Sequence, residues 1–149
     1  MTAGPFRRVL VGWDGSADAA EALGAAVAIA ARDSGHVVAL AVIRRSAHAE
    51  PDEDSDDEPA GLQRQAEAAF ERLRQQDPAA AAVRMSAHVL SENESRAGGV
   101  LCAYAAEHGF DLLVLGRHGE GGSARTRLGR VAGAAIHASS VPLLLIAAT

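Results

Sequence analysis

Leu112, Leu113, Val114 and Leu115 are four consecutive large apolar residues inside the run 110–115. Alternate side chains of a strand turn to opposite faces, so a strand of this kind has no polar side for water and must be covered on both. The other apolar runs are short and β-rich as well: 9–13, 36–43, 83–90 and 142–147. In 83–90 the residues Val83, Met85, Ala87 and Val89 alternate on one side. Between these runs lie segments of helical period. Leu23, Val27 and Ala30 share one face of 17–32, and Leu62, Ala66, Ala69 and Leu73 share one face of a helix ending near Asp77-Pro78. Segments 96–108 and 126–138 read as two further helices, the first in spite of Gly98 and Gly99. Ser16 is the expected N-cap of the first helix, with Asp18 in its first turn, and Ser34-Gly35 stops it. Strands separated by helices predict an α/β fold: one open, doubly wound, parallel five-stranded sheet with helices on both faces. A length of 149 residues is one domain, 1–149, and 48% hydrophobic content supplies its core.

Charge narrows the chemistry. The formal net charge is −5, against the clustered basic surface that nucleic acid attracts. Glu50, Asp52, Glu53, Asp54, Asp56, Asp57 and Glu58 form one acidic run, inside a polar segment 44–60 read as a mobile loop dispensable for folding. All 14 basic residues are Arg. A chain without Lys has no Walker-type phosphate lysine, no lysine Schiff base and no Ser–Lys pair. Cys102 stands alone, so an intrachain disulfide and a multi-cysteine zinc site are excluded; it reads as a small buried apolar group. No stretch reaches the length of a membrane helix and no signal-peptide apolar region opens the chain, which makes the cytoplasm the expected location. The histidines lack metal-ligand spacing. Asp52-x-Asp54-x-Asp56 starts like a calcium loop, but Asp57 stands where glycine is needed and Gln63 where the bidentate Glu belongs, so no metal site is expected.

Ligands of doubly wound sheets sit beyond the carboxyl ends of strands where the strand order reverses, which directs attention to the loops after strands one, two and four. The loop after strand four carries the strongest signal: Gly116-Arg117-His118-Gly119-Glu120-Gly121-Gly122, then a helix. Glycines let backbone N–H groups approach a ligand, such turns form anion nests, and the helix start adds further N–H groups. Arg117, Arg125, Arg127 and Arg130 surround the loop, an environment suited to a phosphate chain or, blandly, to a solvated surface. Asp14 is equally a turn and capping residue. Trp13 either packs in the core or borders the pocket.

The spacing Gly116-x-x-Gly119, nine residues, then Gly129 resembles the nucleotide-binding signature of the universal stress protein family. The segments 9–16, 111–116 and 141–146 resemble that family's first strand and turn, fourth strand and C-terminal end, so the similarity runs along nearly the whole chain. The acidic run has no typical counterpart. The resemblance implies strand order 3-2-1-4-5 and an adenine-nucleotide site for ATP, or ADP or AMP, with or without Mg. It places Asp14 on the ribose or adenine side, Gly12 and Val42 at the base, and Leu115 and Gly116 beside the ribose. Gly119, Gly129, Arg130 and Val131 would hold the phosphates. His118, read from its place in the glycine loop rather than from the resemblance, either donates a hydrogen bond to an anion or is simply exposed. The family has Ser or Thr where this chain has Arg130; a guanidinium replaces the hydroxyl with a charge-assisted bond or fills the phosphate space.

Three function classes remain open at this point. One is a cytoplasmic, dimeric nucleotide-binding protein of the stress response, not an enzyme or at most a slow ATP hydrolase. Another is an adenylating enzyme, which would need glycines that Trp13-Asp14-Gly15-Ser16-Ala17 does not supply. The last is an interaction module without nucleotide. A homodimer is expected through the strand 142–147, because no Lys, Arg or Glu blunts that edge.

Overall fold

The computed structural model describes residues 6–44, 59–92, 97–117 and 130–147. The elements are β1 (Arg8–Gly12), α1 (Ala17–Ala31), β2 (His36–Arg44), α2 (Pro59–Gln76), a 3-10 helix (Pro78–Ala82), β3 (Arg84–Glu92), α3 (Ala97–Glu107), β4 (Leu112–Gly116), α4 (Arg130–Ala138) and β5 (Leu143–Ile146). The strand order is β3-β2-β1-β4-β5 and every pairing is parallel, as expected for a doubly wound sheet. The acidic run Glu50–Glu58, the glycine loop beyond Arg117 and the expected helix start at Thr126 lie outside the described residues.

Side-chain alternation divides the core. Val9, Val11, Val37, Ala39, Leu112 and Val114 turn to one face, beneath α1 and α2. Leu10, Val38, Leu40, Leu113 and Leu115 turn to the other, beneath α3 and α4. β1 is central, and its Val9, Leu10 and Val11 are fully buried. This is the physical content of an unbroken apolar strand: both faces are covered.

Local chemistry sets the boundaries. Ser16 caps α1, its hydroxyl accepting from the Ala19 N–H at 3.1 Å. The helix closes with the Gly35 N–H donating to Ala30 O at 2.9 Å, and Ser34 takes the left-handed φ of 50°. Glycine is needed one residue later, because a Cβ on Gly35 would collide with the Arg7 carbonyl oxygen. α3 closes the same way, with Gly109 at φ 67° and the Phe110 N–H on Ala105 O. Phe110 therefore belongs to the helix exit, and β4 begins at Leu112 rather than at residue 110. The 3-10 helix after α2 has no hydrophobic period by which the sequence could announce it; Asp77 caps it by accepting from the Ala79 N–H at 2.9 Å.

The two glycines of α3 have opposite meanings. A Cβ on Gly98 would stand 2.7 Å from Ala134 Cβ and 2.7 Å from the Val131 carbonyl oxygen, so α4 rests directly on the α3 backbone there. Gly99 meets nothing within 4 Å. Gly98→Ala is expected to destabilise by about 1–3 kcal/mol through overpacking. Gly99→Ala is expected to stabilise by about 0.5–1 kcal/mol through chain entropy. Denaturant titration of the two variants checks both signs; equal shifts would contradict the contact.

Candidate ligand site at the reversal of strand order

β1 and β4 are neighbours, while the chain runs outward to β2 and β3 on one side and to β5 on the other. Their carboxyl ends, Gly12 and Gly116, therefore mark the place where such folds take ligands. Each glycine serves a different face. A Cβ on Gly12 would stand 2.5 Å from Leu115 Cδ2 and 3.1 Å from Leu101 Cδ1, so the Leu115 side chain lies across Gly12. A Cβ on Gly116 would stand 2.7 Å from Asp18 Cβ and 2.9 Å from the Asp18 carbonyl carbon. The first turn of α1 thus seats on the backbone of β4.

The turn after β1 is closed by its own side chain. Asp14 Oδ1 accepts from the Ser16 N–H at 2.9 Å, and Gly15 has φ 78°. A Cβ on Gly15 would stand 2.6 Å from Gln65 Oε1, so α2 reaches over this turn. Asp14 is half-buried and acts as the turn residue that the sequence allowed it to be. Trp13 is 6% exposed and packs with the α1–α2 core, its indole Nε1–H donating to Leu62 O at 3.2 Å. Of its two sequence readings, the core one holds.

Val42, Leu115 and Val131 belong to the cluster on the α3–α4 face, with Leu115 buried and the other two half-buried. The structure thus brings three expected apolar contacts onto the face that Gly12 opens. Arg130 is exposed at the start of α4. Arg117 is exposed just past β4, and its backbone N–H donates to Ile146 O at 2.7 Å. His118, Gly119 and Gly129 lie outside the described residues, as do Arg125 and Arg127.

Asp18 has a part here that the sequence did not reveal. The sequence offers it only as a helix-dipole residue, yet it is 9% exposed and lies against Gly116. Its one sequence signal was its position two residues after the cap. Cys102 is buried, its Sγ 3.9 Å from Ala135 O, and burial raises its thiol pKa against the opposing Ser139 hydrogen bond. It is a packing residue that stays protonated near neutrality. Among the described residues no group of three or more His, Cys, Asp or Glu side chains could hold a metal, and no helix is long and apolar enough to cross a membrane.

A parallel sheet wound both ways from β1, with two glycines at the β1–β4 reversal, defines a doubly wound α/β protein. The chain belongs to the universal stress protein family, whose model matches residues 5–147. The solved UspA from Lactobacillus plantarum is 26% identical, with a TM-score of 0.68 over 95% of this chain and 97% of that one. An Archaeoglobus fulgidus universal stress protein in complex with dAMP is 19% identical, with a TM-score of 0.69 over 96% and 99%. An Arabidopsis thaliana family protein with AMP bound is 17% identical, with a TM-score of 0.59 over 95% and 92%. No curated protein sequence matches the chain.

Gly116→Ala should disturb two things at once. Its methyl group would push against the α1 backbone at Asp18, for a loss of about 1–3 kcal/mol. Because α1 starts from the turn that carries Asp14, ligand affinity at this end of the sheet should fall with stability. An unchanged melting temperature in Gly116→Ala would show that α1 does not rest on β4.

Proposed function

We propose that this protein binds an adenine nucleotide at the β1–β4 reversal and works by binding rather than by turnover. The observation that carries this reading is the convergence of Gly12, Asp14, Val42, Leu115, Gly116 and Val131 on one end of the sheet. It is supported by family relatives solved with dAMP and AMP. In this reading Gly12 and Val42 border the base, Asp14 lies on the ribose or adenine side, and Leu115 and Gly116 flank the ribose. Gly119, Gly129, Arg130 and Val131 hold the phosphates, and His118 donates to them. ATP is the fullest ligand, with Mg on its phosphates, and ADP and AMP use the same base and ribose contacts. The role that follows is a nucleotide-responsive part in the stress response in the cytoplasm.

Calorimetry with ATP, ADP and AMP tests this, together with identification of any nucleotide released on denaturation. Gly119→Val and Gly129→Val should each weaken binding about tenfold or more, the effect of roughly 1.4 kcal/mol, while the fold persists. No heat at millimolar nucleotide would reject the reading. Arg130→Ser separates two roles. A guanidinium that grips phosphate predicts that Ser weakens ATP more than AMP, and one that obstructs predicts that Ser tightens ATP. Equal effects would show that Arg130 does not read the phosphate chain. Trp13 fluorescence should change little, because the indole faces the α1–α2 core.

We further propose a homodimer through the edge strand of residues 142–147. All four β5 side chains are half-buried, Leu144 and Ile146 against one core cluster and Leu143 and Leu145 against the other. The available surface is therefore the backbone edge. Pro142 O and Ile146 O accept from Leu113 and Arg117 of the β4 side, so the N–H and C=O of Leu143 and Leu145 point to the free edge. Leu145→Pro removes an edge donor and leaves the β4 ladder intact, a position where strands tolerate proline. Sedimentation should show a wild-type dimer and a folded Leu145→Pro monomer. A monomeric wild type at about 50 μM, where micromolar interfaces are populated, refutes the dimer.

A further inference from the structure

The other end of the sheet carries a second concentration of chemistry. Arg8, His36 and Arg84 are the first residues of β1, β2 and β3, and they stand in one cross-strand row. Adjacent strands lie about 4.8 Å apart, so the two arginines flank His36 at about 10 Å from each other. Val38, Leu40 and Val42 of β2 turn to the α3–α4 face, and alternation puts His36 there too. Ser86 of β3 shares that face, its Oγ 2.9 Å from His36 Nε2. Arg84 and His88, two residues either side of Ser86, follow it by the same alternation.

α3 packs over β2 and β4, and this stretch of the outer strand stays accessible. Arg84 and His88 are exposed, and His36 and Ser86 are half-buried, whereas Ala87 on the opposite face of β3 is buried. Arg8 is held in place: its Nη2 donates to His108 O at 3.2 Å, and its guanidinium lies 4.9 Å from the Phe110 ring centroid. That hydrogen bond uses one of five N–H donors. Two acids lie at this end of the sheet: Asp111, whose Oδ2 accepts from the Arg7 and Arg8 backbone N–H groups at 3.1 and 2.9 Å, and Asp33, in the turn before β2. Glu107 ends α3, and Glu92 ends β3 far from the row.

From this juxtaposition we propose that the Arg8–His36–Arg84 row, with Ser86 and His88, binds a phosphate-type oxyanion, free or as the monoester end of a small molecule. A tetrahedral dianion accepts several hydrogen bonds at once, and two guanidinium groups, a hydroxyl and two imidazoles on one face offer them. The local field agrees. Burial first, then Arg8, Arg84 and His88, hold the His36 imidazole below its ordinary pKa of 6.5, as expected where positive charge accumulates. A bound dianion relieves that repulsion and favours imidazolium. The site lies at the amino ends of the strands, about 13 Å along β1 from Gly12 and about 20 Å along β2 from Val42, and does not depend on the nucleotide reading.

NMR of the histidine side chains during titration with inorganic phosphate tests the proposal, with chloride at matched ionic strength as control. His36 and His88 signals should shift saturably, with a dissociation constant of about 1–10 mM, and the His36 titration midpoint should rise. Glycerol 3-phosphate forms a parallel arm: tighter binding than phosphate identifies a monoester ligand, and equal or weaker binding identifies free phosphate. Arg84→Gln, at an exposed position, should weaken the response about tenfold, the scale of a hydrogen bond to a charged group, and Ser86→Ala should weaken it less. Gly119→Val should retain it, which separates this site from the nucleotide site. Shifts that chloride reproduces, that do not saturate, or that persist unchanged in folded Arg84→Gln overturn the proposal.

Discussion

The pairing of β1 with β4 is the constraint on which the rest of this molecule depends. The two strands are buried on both faces, so each must receive helices from above and below. Their carboxyl ends can be approached that closely only because Gly12 and Gly116 have no side chains. Leu115 crosses over the first and the first turn of α1 seats on the second. The reversal of strand order is a consequence of topology, but the close packing of Leu115 and α1 upon it follows from these two absent side chains.

The same economy recurs between helices. Gly98 brings α4 onto the α3 backbone, and α4 carries Arg130 and Val131. The position of the proposed phosphate contacts is therefore referred to β4 on one side and to α3 on the other. On the opposite face, the Trp13 indole bonds Leu62 O and Gln65 reaches Gly15, so α2 braces the turn that holds Asp14. The base and ribose side of the proposed site rests on packed backbone. In the proposed reading the phosphate side draws on the glycine loop and on the arginines that the sequence places around it.

The two ends of the sheet differ in electrostatic character. At the carboxyl end, Asp14 and Asp18 lie within the turn and helix start, where carboxylates meet free N–H groups. At the amino end, Arg8, His36 and Arg84 stand in one row, and burial first, then the two neighbouring arginines and His88, lower the His36 pKa. A folded-state pKa below the unfolded one means that this imidazole contributes stability above pH about 6.5 and loses it as pH falls through the folded value. The fold tolerates the strain because the row lies at strand starts, where water reaches two of its members.

Elements with strong local signals were legible in the sequence. The Ser16 cap, the α1 face of Leu23, Val27 and Ala30, and the parallel sheet all follow from period, capping chemistry and two-sided apolar strands. The strand order came from family resemblance, since period says nothing about which strands are neighbours. Three things were decided only by tertiary structure. Gly98 looked like a weak point in a helix and is a contact surface, because only the approach of α4 gives a missing Cβ its value. Asp18 looked like a dipole partner and lies at the strand reversal, because β4 is 94 residues away in sequence and adjacent in space. Arg8, His36, Arg84 and Ser86 carried no motif at all, since their spacing is set by parallel register across three strands rather than by distance along the chain. Local sequence determines which segments are strands and helices through short-range sterics and hydrogen bonding. The chemistry between them is fixed only when non-local pairing brings their ends together.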